Sequence, residues 1–181
     1  MAKSENKNNK LLKILIGFLI LVLIVFFSIN FFKNSTSEKI KPTLKKPNEN
    51  SFKFRKDGEL TFQTNKGEFI SSIDLEFAET APARQQGLMF RTEMKENQGM
   101  LFIFPKEDMQ SFWMHNTVLP LDMIFINSNL TIVTIRKNTK PYDDSSYPST
   151  KPAQYVVEVN AGYSDKYNIK VGDKVVFRRT N

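Results

Sequence analysis

Residues 14–32 form nineteen consecutive positions without a charge, closed off by Lys13 on one side and Lys33 on the other. As an α-helix this stretch is about 28 Å long at ~1.5 Å per residue, close to the ~30 Å hydrocarbon thickness of a bilayer. It is apolar on every face, so it has no polar stripe to turn toward water from the surface of a small domain. The expectation is a single transmembrane helix whose partner is the lipid bilayer. Lys3, Lys7, Lys10 and Lys13 precede it as in a secretion leader, but Ser28-Ile29-Asn30-Phe31-Phe32 offers no small-residue cleavage site, so the helix reads as an uncleaved anchor. The chain has no cysteine, which excludes a lipid-anchored lipoprotein.

This feature orders the rest. Residues 1–13 are a cytoplasmic tail, 14–32 the anchor, 33–58 a linker and 59–178 a globular domain. The linker is polar and carries Pro42 and Pro47 with Asn34, Asn48 and Asn50, a composition that cannot bury a core. Lysines on both sides of the anchor balance, so charge bias does not orient it. The leader-like start places the domain outside the cytoplasm, periplasmic or extracellular, on a single-pass membrane protein. The net charge of +7 does not mark a nucleic-acid binder. Residues 1–50 carry nine Lys against three acids, whereas residues 51–181 carry seventeen Lys and Arg against sixteen Asp and Glu. The excess lies beside the membrane, where it faces anionic headgroups. The domain lacks the basic stripe that phosphate neutralisation requires, and no nucleic-acid partner is expected.

Within the domain, Phe69, Ser71, Ile73, Leu75 and Phe77 alternate with more polar neighbours as in a half-buried strand. Thr80-Ala81-Pro82 predicts a helix running to about Met89, with Thr80 as N-cap and proline in the first turn. Short apolar runs at Met100–Phe104, Ser111–Met114 and Met123–Ile126 read as strands. Asn127-Ser128-Asn129 turns the last of them into a hairpin with Leu130–Ile135. A polar loop from Asn138 to Pro152, a strand at Tyr155–Val159, a helix or turn at Ala161–Asn168 and a closing strand at Lys174–Phe177 follow. Many short strands and one or two short helices predict a mainly β, β-rich α+β domain: a small antiparallel barrel or sandwich.

Six segments in order carry a resemblance: Gly87-Leu88-Met89-Phe90-Arg91, Gly99-Met100-Leu101-Phe102, Phe112-Trp113-Met114-His115-Asn116-Thr117, Pro120-Leu121-Asp122-Met123, Val157-Glu158-Val159-Asn160-Ala161-Gly162 and Val171-Gly172-Asp173. Together they resemble domain-of-unknown-function family 192, over roughly residues 60–177. The resemblance implies a compact β-rich domain, often behind a leader or anchor, without an agreed substrate or reaction. His115 stands where relatives often carry lysine.

Asp122 and Glu158 each sit between apolar residues, where a carboxylate needs a base or backbone amides. Arg91 is the expected partner of Asp122. Arg91, Trp113, Asn116, Asp122 and Glu158 are therefore the candidate ligand-binding set, for a small molecule or a cell-envelope component. Two other readings stand beside this one. Asp122 or Glu158 is the acid or base of an enzyme of unknown reaction, or His115 with nearby methionines holds Cu(I) through soft ligands. Serine elbow, cysteine nucleophile, zinc His pair and phosphate loop are all missing, and the residues call for no cofactor.

Overall fold

The computed structural model describes residues 53–180, together with Ile16, Gly17, Leu19, Ile20, Leu23 and Phe26, which are helical. The chain separates into two units, Met1–Pro47 and Asn48–Asn181, and the fold below is that of the second. Among the described residues no helix is long and apolar enough to cross a membrane. The expected span 14–32 lies largely outside them.

Nine strands and two short helices follow one another: β1 (Gly58–Gln63), β2 (Phe69–Ala78), α1 (Ala81–Gln86), β3 (Gln98–Asp108), β4 (Ser111–Phe112), β5 (Leu121–Ile126), β6 (Ile132–Thr139), β7 (Tyr147–Pro148), β8 (Ala153–Asn160), α2 (Tyr163–Lys166) and β9 (Lys174–Arg179). Seven strands make one sheet in the order β6-β5-β8-β3-β2-β1-β9, and β4 pairs with β7 apart from it.

The expected antiparallel barrel is corrected on two points. First, β2 and β3 run parallel, from Asp74 opposite Gln98 to Ala78 opposite Phe102, so the sheet is mixed. Parallel neighbours need a long crossover, and residues 79–97, which contain α1, provide it. Second, the sheet does not close: its outer strands meet at one bridge, Thr131 to Lys174. Beyond that bridge the segment around Pro148 occupies the flank of β6, with Arg136 Nε donating to the Pro148 carbonyl at 2.9 Å and the Thr150 amide to Thr134 Oγ1 at 2.9 Å. Two shorter corrections follow. The helix after Thr80 stops at Gln86, because Gly87 takes φ 46° and turns the chain. The strand expected at Ser111–Met114 ends at Phe112, and Trp113–Thr117 forms a turn.

Period-2 alternation gives the sheet two buried faces. On one, Leu60, Phe62, Ile73, Leu75, Leu101, Ile124, Val157 and Val175 pack beneath Tyr163 and Ile169 of the α2 region. On the other, Met100, Phe102, Met123, Phe125 and Val156 pack beneath Leu88 and Met114, which come from the connecting segments. Strand register aligns a row on this second face: Glu76, Met100, Glu158 and Met123, on β2, β3, β8 and β5. Asp122 is one residue out of this row, opposite Val159, and so belongs to the first face.

That parity overturns the expected Arg91–Asp122 pair. Arg91 instead forms a two-pronged ion pair with Glu76, Nη1 to Oε1 at 2.9 Å and Nη2 to Oε2 at 2.8 Å, both side chains buried. The Arg55 amide also donates to Glu76 Oε1 at 2.7 Å. The pair clamps the crossover onto the sheet. Removing either partner strands the other charge, so Arg91→Ala and Glu76→Ala should each lose roughly 3–5 kcal/mol of stability in urea unfolding. The double substitution should lose clearly less than the sum of the two. Small, additive losses would show that the clamp is not the fastening described here.

Candidate functional site

Of the two ionisable members of its row, Glu158 is the one that no group among the described residues satisfies. It is 4% exposed, and its register neighbours are the thioethers of Met100 and Met123, which offer no strong donor. Neither a hydrogen bond nor an ion pair from the described residues reaches its carboxyl group. Burial alone therefore acts on it, penalising the charged form and pushing its pKa up to about 8.

Above Glu158 lies an open cleft of about 220 Å³. One wall is the crossover: Arg84, Gln85 and Gln86 of α1, then Gly87, Leu88 and Met89. The opposite wall is Gln110, Ser111, Phe112 and Trp113, with Thr117 behind them, and Phe102 and Phe104 of β3 complete the lining. Gly87 is required at its corner twice over. Its φ lies in the left-handed region, and a Cβ there would come within 3.2 Å of the Phe102 ring. Phe112 is the hinge of the aromatic wall, meeting Phe102, Phe104 and Phe125 edge-on at centroid distances of 4.9, 6.2 and 5.8 Å.

Two polar groups are held at the cleft rather than free to collapse into it. Arg84 donates through Nη1 to the carbonyls of Glu79 and Ile103, with its guanidinium 5.1 Å from the Phe104 ring centre. Trp113 is half exposed on the rim and stacks on His115 at 5.0 Å, and His115 Nδ1 lies 2.6 Å from Asp144 Oδ1.

Of the five residues expected at a site, the fold brings Trp113 and Glu158 to this cleft. Arg91 is committed to Glu76 on the same face. Asn116 holds the turn: at φ 51°, a conformation asparagine tolerates, its carbonyl accepts from the Phe90 amide at 2.8 Å and so ties the two walls together. Asp122 is fully buried on the other face and accepts from the amides of Asn138, Gly162 and Ser164 at 2.8, 3.2 and 2.9 Å. Gly162 is the N-cap of α2 and has no side chain to offer, so Asp122 caps that helix from across the sheet. Backbone amides were the other solution open to this carboxylate.

Of the methionines considered for Cu(I), three pack in the core, while Met89 lines the cleft and Met109 is exposed. Met100, Met114 and Met123 are buried in the second core, and the Met114 sulfur accepts from Thr139 Oγ1 at 3.2 Å. No cluster of three or more His, Cys, Asp or Glu suited to a metal occurs among the described residues. Sequence reasoning missed Arg84, Phe102, Phe104, Gln110 and Phe112. Alternation in Leu101-Phe102-Ile103-Phe104 put the two phenylalanines on one face, but only the β3–β8 register shows that the face is that of Glu158.

Glu158 makes stability depend on pH with a definite sign. Between about pH 4.5 and 8 the native state keeps a proton that the unfolded chain has lost, so stability falls as pH rises through that window and levels off above it. Glu158→Gln keeps the shape without the ionisation. The substituted protein should match wild type near pH 4.5 and exceed it by up to about 4 kcal/mol above pH 8, read from urea unfolding at both pH values. A constant difference across the window would mean that Glu158 ionises as an ordinary carboxyl.

With the geometry established, the comparisons place the chain. The DUF192 family model, described as "Uncharacterized ACR", matches residues 61–177. A UPF0127 protein of Pyrococcus furiosus is 31% identical over 109 residues, which is 59% of this chain and 89% of that protein. Two crystal structures share the fold. One, of a candidate transcription regulator from Sinorhizobium meliloti, is 36% identical with a TM-score of 0.64, covering 67% of this chain and 93% of its own. The other, a protein of unknown function from Novosphingobium aromaticivorans, is 38% identical with a TM-score of 0.62, covering 65% and 83%. From β1 through β9 this chain belongs to the DUF192 family.

Proposed function

We propose that the domain is a small-ligand-binding module, carried outside the cytoplasm on the 14–32 anchor, and that its ligand seats in the cleft over Glu158. One observation carries the reading: a buried carboxyl without a partner among the described residues opens onto a cleft with aromatic residues on one side. Drawing a carboxyl out of bulk water without a protein donor is costly, and a ligand in the cleft could supply the missing bond. Ligand sites commonly set polar groups against apolar and aromatic side chains, and this lining sets Arg84, Gln110 and Glu158 against Phe102, Phe104 and Phe112. The volume, below the ~300 Å³ where drug-sized pockets begin, supports a ligand of amino-acid or monosaccharide size. The regulator assignment of the Sinorhizobium protein is not carried over, because acids and bases nearly balance in residues 51–181.

A second reading rests on the same residue. A carboxyl that keeps its proton near neutral pH is suited to general-acid catalysis, so Glu158 is the catalytic candidate if the bound molecule is turned over.

Trp113 is the sole tryptophan and stands on the cleft rim, so its emission reports on this site. Full-length protein in detergent should change its Trp113 emission with some member of a panel of amino acids, sugars and cell-wall fragments. The response should vanish in Ser111→Tyr, which fills the cleft mouth from an exposed position. Recovery of the ligand unchanged by mass spectrometry supports binding alone, and a product supports the general-acid reading. A response that survives Ser111→Tyr contradicts the site. In the same cells, a reporter fused after Asn181 should be active only if it functions outside the cytoplasm; activity of a cytoplasmic reporter instead would overturn the topology.

A further inference from the structure

The cleft contains two ionisable side chains, Arg84 on the wall and Glu158 on the floor, and they are not paired with each other. Arg84 spends Nη1 on two backbone carbonyls, and no bond among the described residues is made by its Nη2 or Nε. No bond among the described residues reaches the Glu158 carboxyl. A guanidinium and an unpaired carboxyl left apart in one small concavity are complementary to a ligand that brings a carboxylate to the first and, once the Glu158 proton has left, an ammonium to the second. Phe102, Phe104, Phe112 and Trp113 supply an aromatic side to the lining, and aromatic faces also favour a cationic head. The neutral polar groups of Gln85, Gln86, Gln110, Ser111 and Thr117 line it as well.

We propose that the cleft selects a small zwitterion, a free amino acid or a very short peptide, with its ammonium group on Glu158, its carboxylate on Arg84 and its side chain against the phenylalanines. This rests on the ligand-binding reading above and names the class of ligand. A neutral sugar would leave the Arg84 charge without an anion. A simple anion would gain Arg84 but bring no ammonium to Glu158.

Proton release follows from the geometry. Near neutral pH Glu158 holds a proton. Docking an ammonium requires the carboxylate, so the Glu158 proton leaves to solvent as the ion pair forms, and the ammonium keeps its own three. The groups packed round Glu158 do not supply a competing base. Met100 and Met123 flank it, and Leu88, Phe112 and Thr117 lie in the surrounding segments. Arg84 is the one other ionisable group of the cleft, while Glu76 and Arg91, beyond Met100 in the same row, are occupied with each other.

The test is calorimetry on the full chain in detergent at pH 7, repeated in two buffers of different ionisation enthalpy. The probes are L-phenylalanine, phenethylamine (no carboxylate), 3-phenylpropionate (no ammonium) and N-acetylphenylalanine amide (no charge), with the leucine counterparts of each as smaller bodies. The amino acids should bind tightest and release close to one proton per site. The amines should be roughly tenfold weaker or more, the size of one lost charged hydrogen bond, and the acids weaker still. Arg84→Gln should bring the amino acid down to the level of the amine without altering proton release. Glu158→Gln should abolish both binding and proton release while remaining folded. If the uncharged amides bind as well as the amino acids, or the proton count is zero in wild type, the zwitterion assignment is wrong while the cleft remains a ligand site. If none of the eight binds, the assignment also falls, and the wider panel on Trp113 decides the ligand reading by itself.

Discussion

A carboxyl group buried in the middle of a sheet is tolerated in few ways, and this domain uses three of them on three residues. Glu76 is held by a two-pronged arginine. Asp122 is ringed by three backbone amides. Glu158 is left to burial alone, which keeps it protonated up to about pH 8. The first two are fastenings, and each fixes an element that would otherwise have little to hold it. The Arg91–Glu76 pair draws the crossover over the second face, and Asp122 anchors a four-residue helix whose own cap is glycine. The third fastens nothing.

The consequence for function follows from where the fastenings sit. With the crossover clamped at Arg91 and the Trp113–Thr117 turn tied to it by the Asn116 carbonyl, two irregular segments stand apart over the sheet with Glu158 between them. The aromatic cluster round Phe112 fills one side and stops there. The cleft is thus made by bracing on either side of it, and substitutions in the braces should disturb the site without touching its lining.

Much of this was legible before the fold was known. Alternation located most strands, Thr80 and Pro82 marked α1, and the need of Asp122 and Glu158 for an explanation followed from their apolar neighbours. What the sequence could not supply was parity between strands. Whether Asp122 and Glu158 share a face depends on the β5–β8 register, and a shift by one residue exchanges faces. The same ambiguity hid Glu76, which alternation had assigned to the polar side of its strand, and with it the true partner of Arg91. The parallel pairing of β2 and β3 was hidden for a related reason. A helix between two strands permits a crossover, but only the distant pairing shows that it is one. Phe112 and Trp113 read as strand residues because their apolar character is that of a strand, although β4 pairs over two residues only, with β7 in the polar loop.

The central claim is that Glu158 is a neutral acid without a partner on the floor of a ligand cleft, and its own titration tests that most directly. In protein labelled with ¹³C at glutamate side-chain carboxyls, and assigned by the loss of one resonance in Glu158→Gln, the Glu158 signal should titrate with a midpoint near pH 8. A midpoint in the ordinary carboxylate range, near the reference value of about 4.3 for glutamate, would mean that a partner or water already satisfies the group, and the account would fail at its base.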